Sequence, residues 1–119
     1  MDNDKKKPYD LEERTLKYAR MVINLCRKLP NDTINSKIIG QLIRAAGSVG
    51  ANYREASEGL SKKDFIHKMR IARKECKESS YWLELLKTAD SNYPEEINEL
   101  IGESRELRNI FTAIIGKSV

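Results

Sequence analysis

His67 is the only histidine in the chain, and it stands three residues after Asp64. On a helix that spacing puts both side chains on one face, which is how bundle proteins present iron ligands. A di-iron site, however, takes two Glu-x-x-His pairs and two further glutamates, so one Asp-x-x-His pair cannot supply the set. Zinc needs several Cys or His ligands at characteristic spacing, and the two cysteines, Cys26 and Cys76, are far apart with no such pattern. Ala46-Gly47-Ser48-Val49-Gly50 is one glycine short of the Gly-x-Ser-x-Gly elbow. That elbow works because a strand-to-helix turn exposes its serine beside a histidine base, whereas this segment reads as helix interior. No Gly-rich phosphate loop occurs either. The chain is therefore expected to carry no catalytic residue, no metal site and no cofactor, and not to be an enzyme.

The positive signal is electrostatic. With Phe65 taken as the inward direction of a helix, Lys63, Arg70, Arg73, Lys74 and Lys77 fall on one flank, and Tyr81 joins them. Basic side chains gathered on one side, with an aromatic among them, are what a phosphate-backbone surface needs. The plain alternative is a solvated helix face. Charge is unevenly spread around the net +4: residues 61–90 carry eight Lys/Arg against five Asp/Glu, whereas residues 91–119 carry three against five. Such local fields steer a charged partner more than the total does. RNA or DNA is the expected partner, and an acidic protein is the alternative.

These residues require helices to position them. A first helix is expected from the N-cap Asp10 to Leu29, where Leu11, Thr15, Tyr18, Val22, Leu25 and Leu29 repeat at helical spacing. Pro30 blocks its continuation, and 31–36 reads as a polar connector. A second helix is expected over Lys37–Ser57, closed by Gly59 as a left-handed cap. Ser61 opens a third, with Asp64 completing a variant capping box and Phe65, Met69, Ala72, Cys76, Ser79, Leu83 and Leu86 facing inward. Pro94 starts a fourth, with Glu95, Glu96 and Glu99 near its positive end and Ile97, Ile101, Ser104, Phe111 and Ile115 inward. Gly116 is expected to stop it. Short connectors make neighbours antiparallel, so the fold class is all-α, an antiparallel up-down-up-down four-helix bundle over 10–119. Residues 1–9, with Lys5, Lys6 and Lys7, read as a charged flexible tail. At 119 residues the chain can bury roughly two-thirds of its unfolded surface and needs no disulfide to fold. With no export leader and no membrane-length apolar run, a cytoplasmic location with buried, reduced thiols is expected.

The second helix is apolar over too wide an arc. Ile38, Leu42, Ala45, Val49 and Ala56 make one stripe, and Ile39, Ile43, Ala46 and Gly50 make another beside it. Together they cover nearly half the circumference, more than one bundle core requires. Leu16, Ala19 and Ile23 broaden the first helix in the same way. A subunit interface through Ile39 and Ile43 is the economical explanation, and a homo-oligomer is expected. Gln41, Arg44, Ser48, Asn52 and Glu55 form a polar stripe alongside. It reads as a hydrogen-bonded seam between helices or protomers, with Arg44, Asn52 and Glu55 contributing to that interface, in preference to a row of ligand-binding groups.

The run Gln41-Leu42-Ile43-Arg44-Ala45-Ala46-Gly47-Ser48-Val49-Gly50-Ala51-Asn52, then Glu55, Lys63-Asp64-Phe65 and Trp82-Leu83-Glu84-Leu85-Leu86, resembles the bacterial four-helix-bundle family encoded within intervening sequences of large-subunit ribosomal RNA genes. In that family Arg-Ala-Ala, Ser and Asn are followed by Glu-Gly; here Ala56 follows Glu55 and the glycine comes at Gly59. The resemblance covers most of residues 9–116. It implies a homopentamer with no established enzymatic activity. A related group is similar to accessory variability proteins of diversity-generating retroelements, basic pentamers that bind nucleic acid and a reverse transcriptase. The expected function is a non-catalytic oligomeric scaffold that binds nucleic acid through the basic helix face, in a retroelement or rRNA-associated role. A protein-binding adaptor without nucleic-acid function is the alternative.

Overall fold

The computed structural model describes residues 10–119. They form four helices, α1 (Leu11–Arg27), α2 (Thr33–Ser57), α3 (Lys62–Ala89) and α4 (Pro94–Ser118), with no strand among the described residues. The charged tail expected over residues 1–9 lies outside the described residues.

Three starts follow from local chemistry. The Asp10 carboxylate accepts from the Glu13 amide and the Ser61 hydroxyl from the Asp64 amide, each satisfying an amide that the first turn leaves unpaired. Pro94 sits at the head of α4, where its missing N–H costs nothing. The start of α2 differs from expectation. It begins at Thr33, four residues before Lys37, because Asp32 caps it by accepting from the Asn35 amide at 2.8 Å. Asn35 is itself buried, and its side-chain amide donates to the Pro30 carbonyl at 3.1 Å and to Asp90 at 3.3 Å. That buried amide ties the α1–α2 connector to the end of α3.

Two terminations also need correcting. Gly59 is not a left-handed cap, since no described residue has a positive φ. The amides of Glu58 and Gly59 instead donate to the carbonyls of Glu55 and Ala56, tightening the last turn. A Cβ at position 59 would lie 3.1 Å from the Ala56 carbonyl oxygen, so glycine serves there by its lack of bulk. Gly116 does not stop α4, which runs through it to Ser118.

Ion pairs and side-chain hydrogen bonds fix the topology. Arg54 pairs with Glu12 while Gly50 meets Thr15. Arg44 reaches Glu75 and Glu78 while Glu55 meets Lys68. Lys87 bonds Asn98 while Arg73 bonds Thr112, and Lys28 pairs with Glu96 while Arg14 pairs with Glu103. In every pair the residue number falls on one helix as it rises on the other, so each helix runs antiparallel to both neighbours.

The inward stripes are buried as their spacing requires, including Thr15, Tyr18, Ser79 and Ser104, except that Ile38 and Phe65 are only half-buried, and α4 adds Leu100 and Leu107. At mid-bundle the Tyr18 hydroxyl lies 2.7 Å from Ser79 Oγ, and the serine hydroxyls of Ser79 and Ser104 donate to the carbonyls of Cys76 and Ile101. The polar layer is thus satisfied internally. Cys26 and Cys76 are buried and unbridged. No described helix is long and apolar enough to cross a membrane.

Candidate nucleic-acid interface

Between Lys63 and Tyr81, α3 turns one face outward because its inward stripe is used up against α2 and α4. Lys63, Arg70, Lys74, Lys77 and Tyr81 are exposed on that face, and Arg73 is half-buried at its edge. An open groove of about 600 Å³ is lined by Arg70, Arg73, Lys74, Lys77, Glu78, Tyr81 and Trp82. A second shallow groove, also about 600 Å³, continues from Arg70 past His67 to Lys62 and Lys63. The five cations named from the sequence therefore form one continuous surface, shared with the exposed His67.

These cations keep their charge free of ion pairs among the described residues. None of Lys63, Arg70, Arg73, Lys74 and Lys77 forms an ion pair with another described residue, whereas Arg14, Lys28, Arg44, Arg54, Lys68 and Arg105 all do. Arg73 makes one polar contact, donating from Nη1 to Thr112 Oγ1 at 3.4 Å. The one carboxylate in the main groove, Glu78, is held by others: its Oε2 accepts from Trp82 Nε1 at 3.1 Å and from Arg44 Nη2. Those two donors, the indole first, hold the Glu78 carboxyl below the usual carboxylate range. Glu78 and Trp82 were missed by sequence reasoning. Their positions flank the basic stripe, but only the placement of α2 reveals the Arg44 contact.

The opposite side of the molecule is acidic. Between α1 and α4 a cleft of about 550 Å³ is lined by Asp10, Glu13, Glu99, Glu103 and Glu106 together with Arg14 and Lys17. Arg14 grips Glu103 through Nε at 2.7 Å and Nη2 at 3.0 Å, and also reaches Glu106 at 2.9 Å. Hydrogen bonds to those carboxylates raise the Arg14 pKa further above its already high ordinary value. No group of His, Cys, Asp or Glu among the described residues is arranged to hold a metal ion.

The residues expected at a subunit interface divide into two sets. Ile43 is 38% exposed, and Leu16 and Ile23 on α1 are 36% and 39% exposed; Ile39 is half-buried. Leu16, Ile23 and Ile43 are thus partly exposed on α1 and α2, whereas Ile39 packs partly against the bundle core. The polar stripe behaves differently from a self-contained seam. Arg44 is 47% exposed and turned away from its own helix to Glu75 and Glu78. Eleven residues separate Arg44 from Glu55, about 16 Å along a helix, while α3 brings carboxylates close. Glu55 pairs instead with Lys68 at 2.6 Å, and the Asn52 amide donates to the Ser48 carbonyl at 2.8 Å within its own helix.

Residues 8–113 match the pattern of the 23S rRNA-intervening sequence protein family. The chain belongs to that family. Among solved structures it is similar to a protein of unknown function of the S23 ribosomal protein family from Bacteroides thetaiotaomicron VPI-5482, at 35% identity and a TM-score of 0.80. The likeness covers 87% of this chain and 96% of that one, so most of the bundle is shared. No curated protein matches the chain. Membership in the family accounts for the four helices and leaves the use of the basic face to be argued from its chemistry.

Proposed function

We propose that this family member is a non-catalytic oligomeric scaffold that binds nucleic acid through the exposed face of α3. One observation carries the reading: five cations share one open surface of α3 with the exposed Tyr81, and none of the five is ion-paired with another described residue. Unpaired surface cations keep their charge for an external polyanion, and a phosphate backbone is the polyanion whose spacing suits a helical row.

The oligomer rests on Leu16, Ile23 and Ile43 with the half-buried Ile39, and a homopentamer is the form that the family resemblance implies. In a ring the α3 face would be repeated by symmetry, and several weak sites would act as one strong multivalent surface. A cytoplasmic accessory role beside an rRNA gene or a reverse transcriptase fits this reading. Titration with labelled RNA and DNA is the test. Salt-sensitive binding that Arg70→Glu with Lys74→Glu and Lys77→Glu abolishes supports it. Binding confined to an acidic protein, with no affinity for either nucleic acid, rejects it in favour of the adaptor.

A further inference from the structure

Arg44 is the one arginine of α2 that reaches across to the basic side of α3. Its Nη2 donates to Glu78 Oε2, and its Nη1 lies 3.5 Å from Glu75 Oε1. The same Glu78 oxygen accepts from Trp82 Nε1, which fixes the indole of the only tryptophan in the chain. Trp82 in turn meets Tyr81 edge-to-face, with ring centroids 5.2 Å apart and planes at 76°. Tyr81 is 57% exposed and shares its groove with Arg70, Lys74 and Lys77. An exposed tyrosine normally samples several rotamers, but an edge-to-face partner of fixed orientation favours one.

Two consequences follow from this chain of contacts. Arg44 offsets a carboxylate that would otherwise repel phosphates from inside the groove. It also keeps, through Glu78 and Trp82, the phenol ring presented within about one helical turn, 5.4 Å, of Lys77. A flat ring beside a row of cations is a stacking surface for an unpaired base, and duplexes hide their base faces within the stack.

We propose that Arg44 is a positioning residue for a base-stacking platform built on Tyr81, and that the α3 groove consequently takes single-stranded nucleic acid in preference to duplex. The inference rests on the reading of α3 as a phosphate-binding face. Tyr81 and the cations touch the ligand; Arg44, Glu78 and Trp82 act through Tyr81.

The test measures fluorescence anisotropy of the intact protein with a labelled thymidine oligomer and with a duplex of equal length. The parent is expected to favour the single strand. Tyr81→Ala should lower single-strand affinity roughly 5- to 150-fold, the range for loss of one stacked base, and leave duplex affinity nearly unchanged. Arg44→Gln combined with Glu78→Ala keeps the net charge but removes the acceptor for Trp82. It should lose most of the single-strand preference, retain duplex binding, and show an altered Trp82 emission maximum at unchanged helicity. Trp82 fluorescence should also be quenched by the single strand and not by the duplex. Equal affinity of the parent for both ligands, or an unchanged preference in the double variant, overturns the inference while leaving the phosphate-binding reading in place. Absence of binding to either ligand overturns both.

Discussion

Gly50 on α2 lies so close to Thr15 on α1 that a Cβ added at position 50 would stand 2.9 Å from Thr15 Oγ1 and 3.2 Å from its Cβ. The threonine cannot easily withdraw, since its buried hydroxyl donates to the Leu11 carbonyl at 2.7 Å. Alanine is the better helix former by about 1 kcal/mol, but overpacking at a close crossing costs about 1–3 kcal/mol. Gly50→Ala is therefore expected to lower the urea midpoint. Gly47, one turn earlier, has nothing within 4 Å of its would-be Cβ. Gly47→Ala should stabilise the bundle by up to about 1 kcal/mol. A pair of urea titrations with the sign pattern reversed would show that the α1–α2 crossing is not where Gly50 places it.

Ile43 offers a separate test of assembly. Its side chain is 38% exposed, as Leu16 and Ile23 on α1 are 36% and 39%, so a charge there meets solvent in an isolated chain but a desolvated surface in an oligomer. Ile43→Asp is expected to reduce the mass measured by light scattering to that of a single chain while helicity is retained. A parent already of single-chain mass at micromolar concentration would remove the basis for the oligomer, and loss of helicity in the variant would assign Ile43 to the bundle core.

Much of this arrangement was legible in the residues. Asp10, Ser61 and Pro94 mark helix starts because each solves a local problem of unpaired amides, and the four-three apolar spacing marks what is buried. The early start of α2 was not legible. Thr33, Asn35 and Ser36 are polar and make the segment look like connector, and only the tertiary bonds of Asn35 to Pro30 and Asp90 show why that turn is helical. Gly59 and Gly116 misled for a related reason: a glycine after or within a helix permits termination without compelling it. For the candidate site, helical periodicity alone gathered Lys63, Arg70, Lys74, Lys77 and Tyr81, because all lie on one element. For Arg44 the sequence shows only a place in the polar stripe of α2, whereas its partners Glu75 and Glu78 belong to α3 and depend on how the two helices pack.

The buried ionisable groups predict an alkaline limit to stability. Burial pushes the Cys26 thiol up to about 11 and the Cys76 thiol up to about 12, from ordinary values of 9.0. Burial also raises the Tyr18 phenol above its ordinary 10.0, against the opposing effect of its hydrogen bond with Ser79. With folded pKa values raised, the unfolded chain releases these protons first. Their contribution is thus fully present below about pH 9 and is lost as pH climbs through the folded values. Each group can remove up to about 1.4 kcal/mol per pH unit within its window. The urea midpoint should hold steady through neutral pH and fall between about pH 9 and 11. Cys76→Ala should be less stable at neutral pH yet show a shallower alkaline fall. An unchanged slope in that variant would mean the Cys76 thiol is not held neutral by burial.

The phosphate-binding reading makes its own quantitative forecast. Each phosphate neutralised on duplex DNA releases condensed counterion, so the logarithm of the binding constant falls by about 0.9 per tenfold rise in salt for every contact. Four contacts, from Lys63, Arg70, Lys74 and Lys77, give a slope of about −3.6, or roughly a 100-fold loss of affinity between 50 and 200 mM salt. Arg73 is left out of that count because it is half-buried and bonded to Thr112. For the same reason charge reversal belongs at Arg70, Lys74 and Lys77, which are exposed and can change without disturbing α4. The triple glutamate variant should lose binding across sequences at unchanged helicity and oligomer mass. Each single reversal should weaken binding and make the slope shallower by about one contact. A slope near zero, or a triple variant that binds like the parent, would mean that these cations face water alone. An acidic protein would then become the partner to seek.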